Sequence, residues 1–173
     1  MERMWNPWRM EYVGSKYPED GECLFCQAGR EPEQESFHVL YHNEQALAMM
    51  NKYPYSNGHF MVVPKRHLSQ VEELSPAERL AIMNFLAWGS IVLKEALSAD
   101  GINAGFNLGR VAGAGLPGHL HLHLVPRWAN DVNFMTILAD VRNIPEHLEV
   151  TYHKLKTHFA RLGAQEQFRD GVC

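Results

Sequence analysis

Between Gly118 and Arg127 the chain reads G-H-L-H-L-H-L-V-P-R, which places His119, His121 and His123 at every second position with leucines between them. In an extended strand successive side chains project to opposite faces, so the three imidazoles share one face and Leu120, Leu122 and Leu124 the other. Imidazole titrates near neutrality, and three on one face suit metal ligation, proton transfer or nucleophilic attack on phosphorus. Asn107, Gly109, Gly113, Gly115 and Gly118 lead into this run. Glycine tolerates unusual backbone angles and successive free amides form an anion-binding nest, so the whole reads as a phosphate cradle running into a histidine strand. The plain alternative is an exposed sheet face or an adventitious metal site, and the flanking glycines weigh against it.

A second candidate centre is Cys23-Leu24-Phe25-Cys26. In a reducing compartment such a pair is a metal half-site or a redox pair rather than a structural disulfide. A thioredoxin-like redox motif sits at a strand-to-helix turn of a βαβ unit, whereas a Pro, Gly and acidic loop from Pro18 to Gly21 precedes this one, which favours zinc. The remaining cysteine, Cys173, is terminal and carries no role.

The elements that must position these groups follow from pattern. Residues 37–41 and 46–50 read as strands joined around His42-Asn43-Glu44, residues 51–58 as a turn, and the apolar run 59–64 as a buried strand ended by Pro64. Ser75-Pro76-Ala77-Glu78 is a capping-box helix start with Pro at the first helical position. Ile82, Phe85, Leu86, Leu93, Ala96 and Leu97 then recur at helical spacing to about Ser98, with Met83 and Trp88 expected in the core. Further strands are expected over 101–108 and 119–125, and Pro145 and Glu146 open a last helix to about Leu162. This order points to α+β, with an antiparallel sheet of about five strands, one long helix and a C-terminal helix. No dinucleotide fingerprint or Walker pattern opposes it.

At 173 residues, 46% hydrophobic and 21% charged, the chain fits one domain over 23–162, with residues 1–22 packing on it and 163–173 as a tail. The net charge of −4 and the lack of a long basic run argue against a nucleic-acid polymer as partner. Met1 to Val13 contains no apolar core of signal-peptide length, and no run approaches the roughly 18 apolar residues of a bilayer span, so a cytoplasmic protein without membrane contact is expected.

The chain resembles the histidine-triad (HIT) superfamily, whose hallmark His-φ-His-φ-His-φ-φ (φ apolar) is matched at every position by His119 to Val125. The resemblance extends to Asn51, the run Gly58 to His67 and the loop Asn107 to Gly118. Within the superfamily, Trp5 to Tyr12, Ala112 to Gly115, Pro126-Arg127-Trp128 and Asn133-Phe134-Met135 look most like the bacterial diadenosine-polyphosphate hydrolase/phosphorylase branch. It implies a HIT-like fold, a homodimer, and attack by His121 on the α-phosphorus of a dinucleoside polyphosphate to give a nucleotidyl-histidine, released by water or phosphate. It further implies that His123 binds phosphate oxygens and His59 orients the triad. Nucleotide would be held by Asn51 at the ribose, by Asn107, and by the amides of Gly113, Ala114 and Gly115. Cys23, Cys26, His67 and His119 would form a structural zinc site, and magnesium would accompany the nucleotide. Lys65 and Arg66 read as solvated rim charges. Gly115 and Leu116 stand where typical superfamily hydrolases carry Gln or Ser, a departure that suits phosphate as acceptor. A nucleotide-binding or sensing protein with slow turnover is the alternative function.

Overall fold

The computed structural model describes residues 22–129, 131 and 146–163. Strands Val39–His42 (β1), Ala46–Met50 (β2), Phe60–Pro64 (β3), Gly101–Phe106 (β4) and Leu122–Arg127 (β5) form an antiparallel sheet in the order β1-β2-β3-β5-β4. Helices Pro76–Leu97 (α2) and Leu148–Gly163 (α3) cover one face, and the short helix Leu24–Arg30 (α1) belongs to the other. Alternation along the strands sorts the side chains: Ala46, Ala48, Met50, Phe60, Val62, Leu122 and Leu124 enter the core beneath α2 and α3. Leu47, Met49, Met61 and Val63 pack with Phe25 and Ala28 of α1. His123 lies opposite Met61 in the β3–β5 ladder, so the histidine face is the α1 face.

Local chemistry explains the joints. Asn43 Oδ1 accepts the amides of Gln45 and Ala46, both at 2.9 Å, and so turns the chain between β1 and β2. Ser75 and Glu78 complete the expected capping box at the start of α2. Gly89, in mid-helix, lets α2 press on the sheet, since a Cβ there would lie 2.5 Å from Phe60 Cζ and 2.9 Å from Leu124 Cδ2. By length and composition α2 is apolar enough to cross a membrane, but Ile82, Phe85, Trp88, Val92 and Leu93 are buried against the sheet.

Several boundaries differ from the sequence expectation. β5 begins at Leu122 rather than His119. Pro64 offers no amide for a ladder to continue, and its carbonyl takes the His119 ring instead. The alternation of faces nevertheless persists through 119–121, with Leu120 in the core. β1 starts at Val39 because Glu35–Phe37 forms a 3-10 turn and His38 adopts φ +50°. β4 stops at Phe106 and leaves Leu108 exposed. Met83, expected inside, is exposed beside Leu80. Helix α1 was not anticipated, and α3 begins at Leu148. The segment 1–21, Pro145 and the tail beyond Gly163 lie outside the described residues, as do Asn133, Phe134 and Met135.

Candidate active site

The triad strand divides its three imidazoles between two surroundings, His119 beside the cysteines and His121 and His123 beside each other. His119 is 1% exposed, and its Nε2 donates to the Pro64 carbonyl at 2.8 Å, which leaves the Nδ1 lone pair aimed at Cys23 Sγ (3.3 Å) and Cys26 Sγ (3.6 Å). His67 brings its Nδ1 to 3.2 Å from Cys26 Sγ, and its ring meets that of His119 edge to face. The four ligand atoms of Cys23, Cys26, His67 and His119 all lie within 4.8 Å of one another. Tetrahedral zinc with ordinary Zn–S and Zn–N lengths places sulfur and nitrogen about 3.6 Å apart, so the donor set and spacing fit that ion. Burial first, and the neighbouring Cys23 next, push the Cys26 thiol up to about 11, and a cation held at this site would favour its thiolate. Burial also pulls His119 down to about 4, keeping it neutral and able to ligate.

His121, 5% exposed, donates from Nδ1 to the carbonyl oxygen of His119 at 2.8 Å. A carbonyl only accepts, so the proton stays on Nδ1 and the lone pair on Nε2. Burial lowers the pKa of His121, which favours this neutral form.

A chain of hydrogen bonds fixes the third imidazole. The Tyr55 amide donates to His59 Nδ1 at 3.0 Å, so a neutral His59 carries its proton on Nε2 and donates it to His123 Nδ1 at 3.0 Å. A neutral His123 then carries its proton on Nε2, 3.4 Å from Asn107 Nδ2; two donors cannot pair, so Asn107 accepts this proton only with its amide turned to bring Oδ1 to the ring. A neutral His123 is thereby a hydrogen-bond donor through Nε2, and the His121 and His123 ring centroids are 4.9 Å apart. His59 is fully buried.

The remaining candidates are distributed around this pair. Asn51 Oδ1 accepts the Tyr53 amide at 2.9 Å and opens the turn, while its amide nitrogen lies 3.5 Å from His59 Nε2. In the glycine loop the amides of Gly113 and Ala114 donate to the carbonyls of Arg110 and Gly109, and Gly113 sits at φ +93°. Those two amides are therefore spent inside the loop in this conformation. Leu116 packs against the Phe25 cluster and offers no polar group. Arg66 is not a free rim charge: its guanidinium grips Glu78 through Nε (3.0 Å) and Nη2 (2.8 Å) and also donates to the Glu73 carbonyl.

Two aromatic residues of the site escaped the sequence reading. Tyr55 stacks on His59 with centroids 4.8 Å apart, and Phe25 lies against both His119 (5.4 Å) and His121 (5.2 Å). Their positions beside a candidate histidine and between the two cysteines were the available signals.

Residues 14–130 match the model of the HIT domain. The chain belongs to the HIT domain family. A HIT relative described as AP-4-A phosphorylase from Mycobacterium tuberculosis is 37% identical over 167 residues, covering 93% of this chain and 86% of the relative. A crystal structure described as a Zn-bound histidine triad family protein from Mycobacterium smegmatis superposes with a TM-score of 0.64 at 26% identity, covering 83% of this chain and 96% of that one. A hypothetical histidine triad nucleotide-binding protein from Sulfolobus tokodaii superposes with a TM-score of 0.67 at 27% identity, over 87% of this chain and 99% of that one. The α+β fold with its five-stranded sheet is the HIT fold.

Proposed function

We propose that this HIT protein is an enzyme that splits dinucleoside polyphosphates of the diadenosine tetraphosphate type through a nucleotidyl-histidine on His121. The observation that carries this reading is the fixed tautomer of His121, whose Nδ1–H is held by the His119 carbonyl while Nε2 keeps its lone pair beside the Nε2–H of His123. His121 Nε2 forms a bond to the α-phosphorus and the bond from that phosphorus to the bridging oxygen breaks, so that a nucleoside polyphosphate leaves. His123 donates to the phosphate oxygens, Asn107 supports it, and His59 holds its tautomer. Asn51 serves the ribose at the mouth of the site, and the loop through Gly113, Ala114 and Gly115 lies along the phosphates. In the second step the acceptor oxygen replaces His121 on phosphorus. Phosphate as acceptor yields ADP and water yields AMP. The apolar Leu116 and the phosphorylase named among the relatives both favour phosphate.

Zinc is the ion that the Cys23, Cys26, His67 and His119 donors suit, and it would supply a cross-link among α1, the segment after β3 and the triad strand. Among the described residues no carboxylate cluster of metal-site spacing accompanies the triad. A homodimer is supported by the β4 edge, exposed at Asn103, Ala104 and Gly105, and by the exposed Leu80 and Met83.

Product analysis tests the enzyme reading. Purified protein and His121→Ala are incubated with diadenosine tetraphosphate, with and without inorganic phosphate. The expected result is ADP and ATP formed by the wild type only when phosphate is present. AMP and ATP without phosphate would assign water as the acceptor. Turnover by His121→Ala overturns the covalent route, and tight nucleotide binding without turnover by the wild type would instead make this a sensor.

A further inference from the structure

Phe25 occupies an unusual position. It lies between the two cysteine ligands on α1, is 2% exposed, and touches both a metal-ligand ring and the ring that the proposed chemistry uses. Its edge-to-face contact with His119 has an interplanar angle of 84°, and its contact with His121 is tilted at 50°. Cys23 and Cys26 bracket it within less than one helical turn, so whatever fixes the cysteines fixes the Phe25 ring. Two backbone links run in parallel. The His119 carbonyl receives His121 Nδ1–H, and the Leu120 amide donates at 2.7 Å to the carbonyl of Leu68, the neighbour of His67.

An imidazole with one hydrogen bond can still swing about that bond. Contact with an immobile ring on its flank removes this freedom, and packing of this kind is what keeps a reacting group in its productive geometry. We propose that Phe25 is a positioning residue through which the Cys/His metal centre holds the His121 ring, so that metal occupancy sets the reactivity of the site as well as the stability of the fold. The inference rests on the reading of His121 as nucleophile. It assigns a function to α1, whose N-cap residue Cys23 and first-turn residue Cys26 are the two cysteine ligands and whose buried Phe25 reaches the reacting group.

The test uses the metal-loaded protein and Phe25→Leu, with Phe85→Leu as a control in the core on the opposite face of the sheet. Turnover of diadenosine tetraphosphate, bound metal per chain and ring nitrogen spectra of histidine-labelled protein are measured, and the His121 signal is assigned by its loss in His121→Ala. Phe25→Leu is expected to retain its metal, to lose about tenfold or more in kcat with KM nearly unchanged, and to shift the His121 signal from the Nδ1–H tautomer toward a mixture. Metal-depleted wild type should show the same spectral shift. Phe85→Leu should lose stability yet keep kcat and the His121 tautomer. An unchanged kcat in Phe25→Leu, a loss confined to KM, an unshifted His121 signal, or an equal kcat loss in Phe85→Leu would each overturn the inference. Should Phe25→Leu fail to fold, Phe25→Met, whose flexible thioether fills the space without an aromatic face, carries the same test. Activity persisting in His121→Ala would instead overturn the underlying reading.

Discussion

Replacing Glu78 with Gln tests how the segment bearing His67 is anchored. Glu78 is 4% exposed and sits in the first turn of α2, where its carboxylate accepts two bonds from Arg66 and one at 2.7 Å from the Ser75 amide. The Arg66 guanidinium, helped by Ser75, holds the carboxyl at about 2 against an ordinary 4.5, although burial works the other way. That depression corresponds to about 3 kcal/mol at neutral pH, and water and salt at the half-exposed Arg66 bring the expected effect to about 2 kcal/mol. Gln keeps an oxygen acceptor for Ser75, so the capping box survives, while the ion pair is lost and the amide NH2 faces the Arg66 Nε–H. Because the folded-state value is depressed, the stabilisation is fully present above about 4.5 and is lost as the pH falls toward about 2. Denaturant unfolding of both proteins, from neutrality down to about pH 2, gives the difference at each step, and acid release of metal largely cancels in it. The expected difference is about 2 kcal/mol at neutrality, shrinking toward zero in acid. A difference that ignores pH, or one below about 0.5 kcal/mol at neutrality, would refute the assigned ion pair.

Replacing Cys23 and Cys26 with Ser should abolish stoichiometric zinc and lower the unfolding midpoint, and a wild type purified without zinc would sink the metal assignment. Gly89→Ala should destabilise by about 1–2 kcal/mol, because the clash with Phe60 and Leu124 outweighs the gain in helix propensity; a raised urea midpoint would contradict the close approach of α2. His59→Leu should cut kcat by about ten- to a hundredfold with little change in KM, since His123 loses the donor that holds its tautomer. Steady-state kinetics showing the loss in KM alone would make His59 a binding residue.

Much of the chemistry was legible because it depends on residue type and short-range period. Alternation placed His119, His121 and His123 on one face and their leucines in the core without any need for a paired strand. The capping box at Ser75 and Glu78 announced α2, and Asn43 announced the first hairpin. The cysteine pair indicated half of a candidate metal site. Its other half, His67 and His119, came from the resemblance, because ligands 41 to 96 positions apart leave no mark in local spacing.

The folded chain settled what depends on distant neighbours. Arg66 looked like a solvated charge because its partner is 12 residues away on α2. Phe25 and Tyr55 looked like ordinary apolar and turn residues until packing set them against His121 and His59. Most of all, three chemically equivalent imidazoles became distinct in tautomer and surroundings through the carbonyls of Pro64 and His119 and the amide of Tyr55. Residue identity supplies two ring nitrogens to each histidine, and only the backbone groups that folding brings to one of them decide where its proton sits and what the other can do.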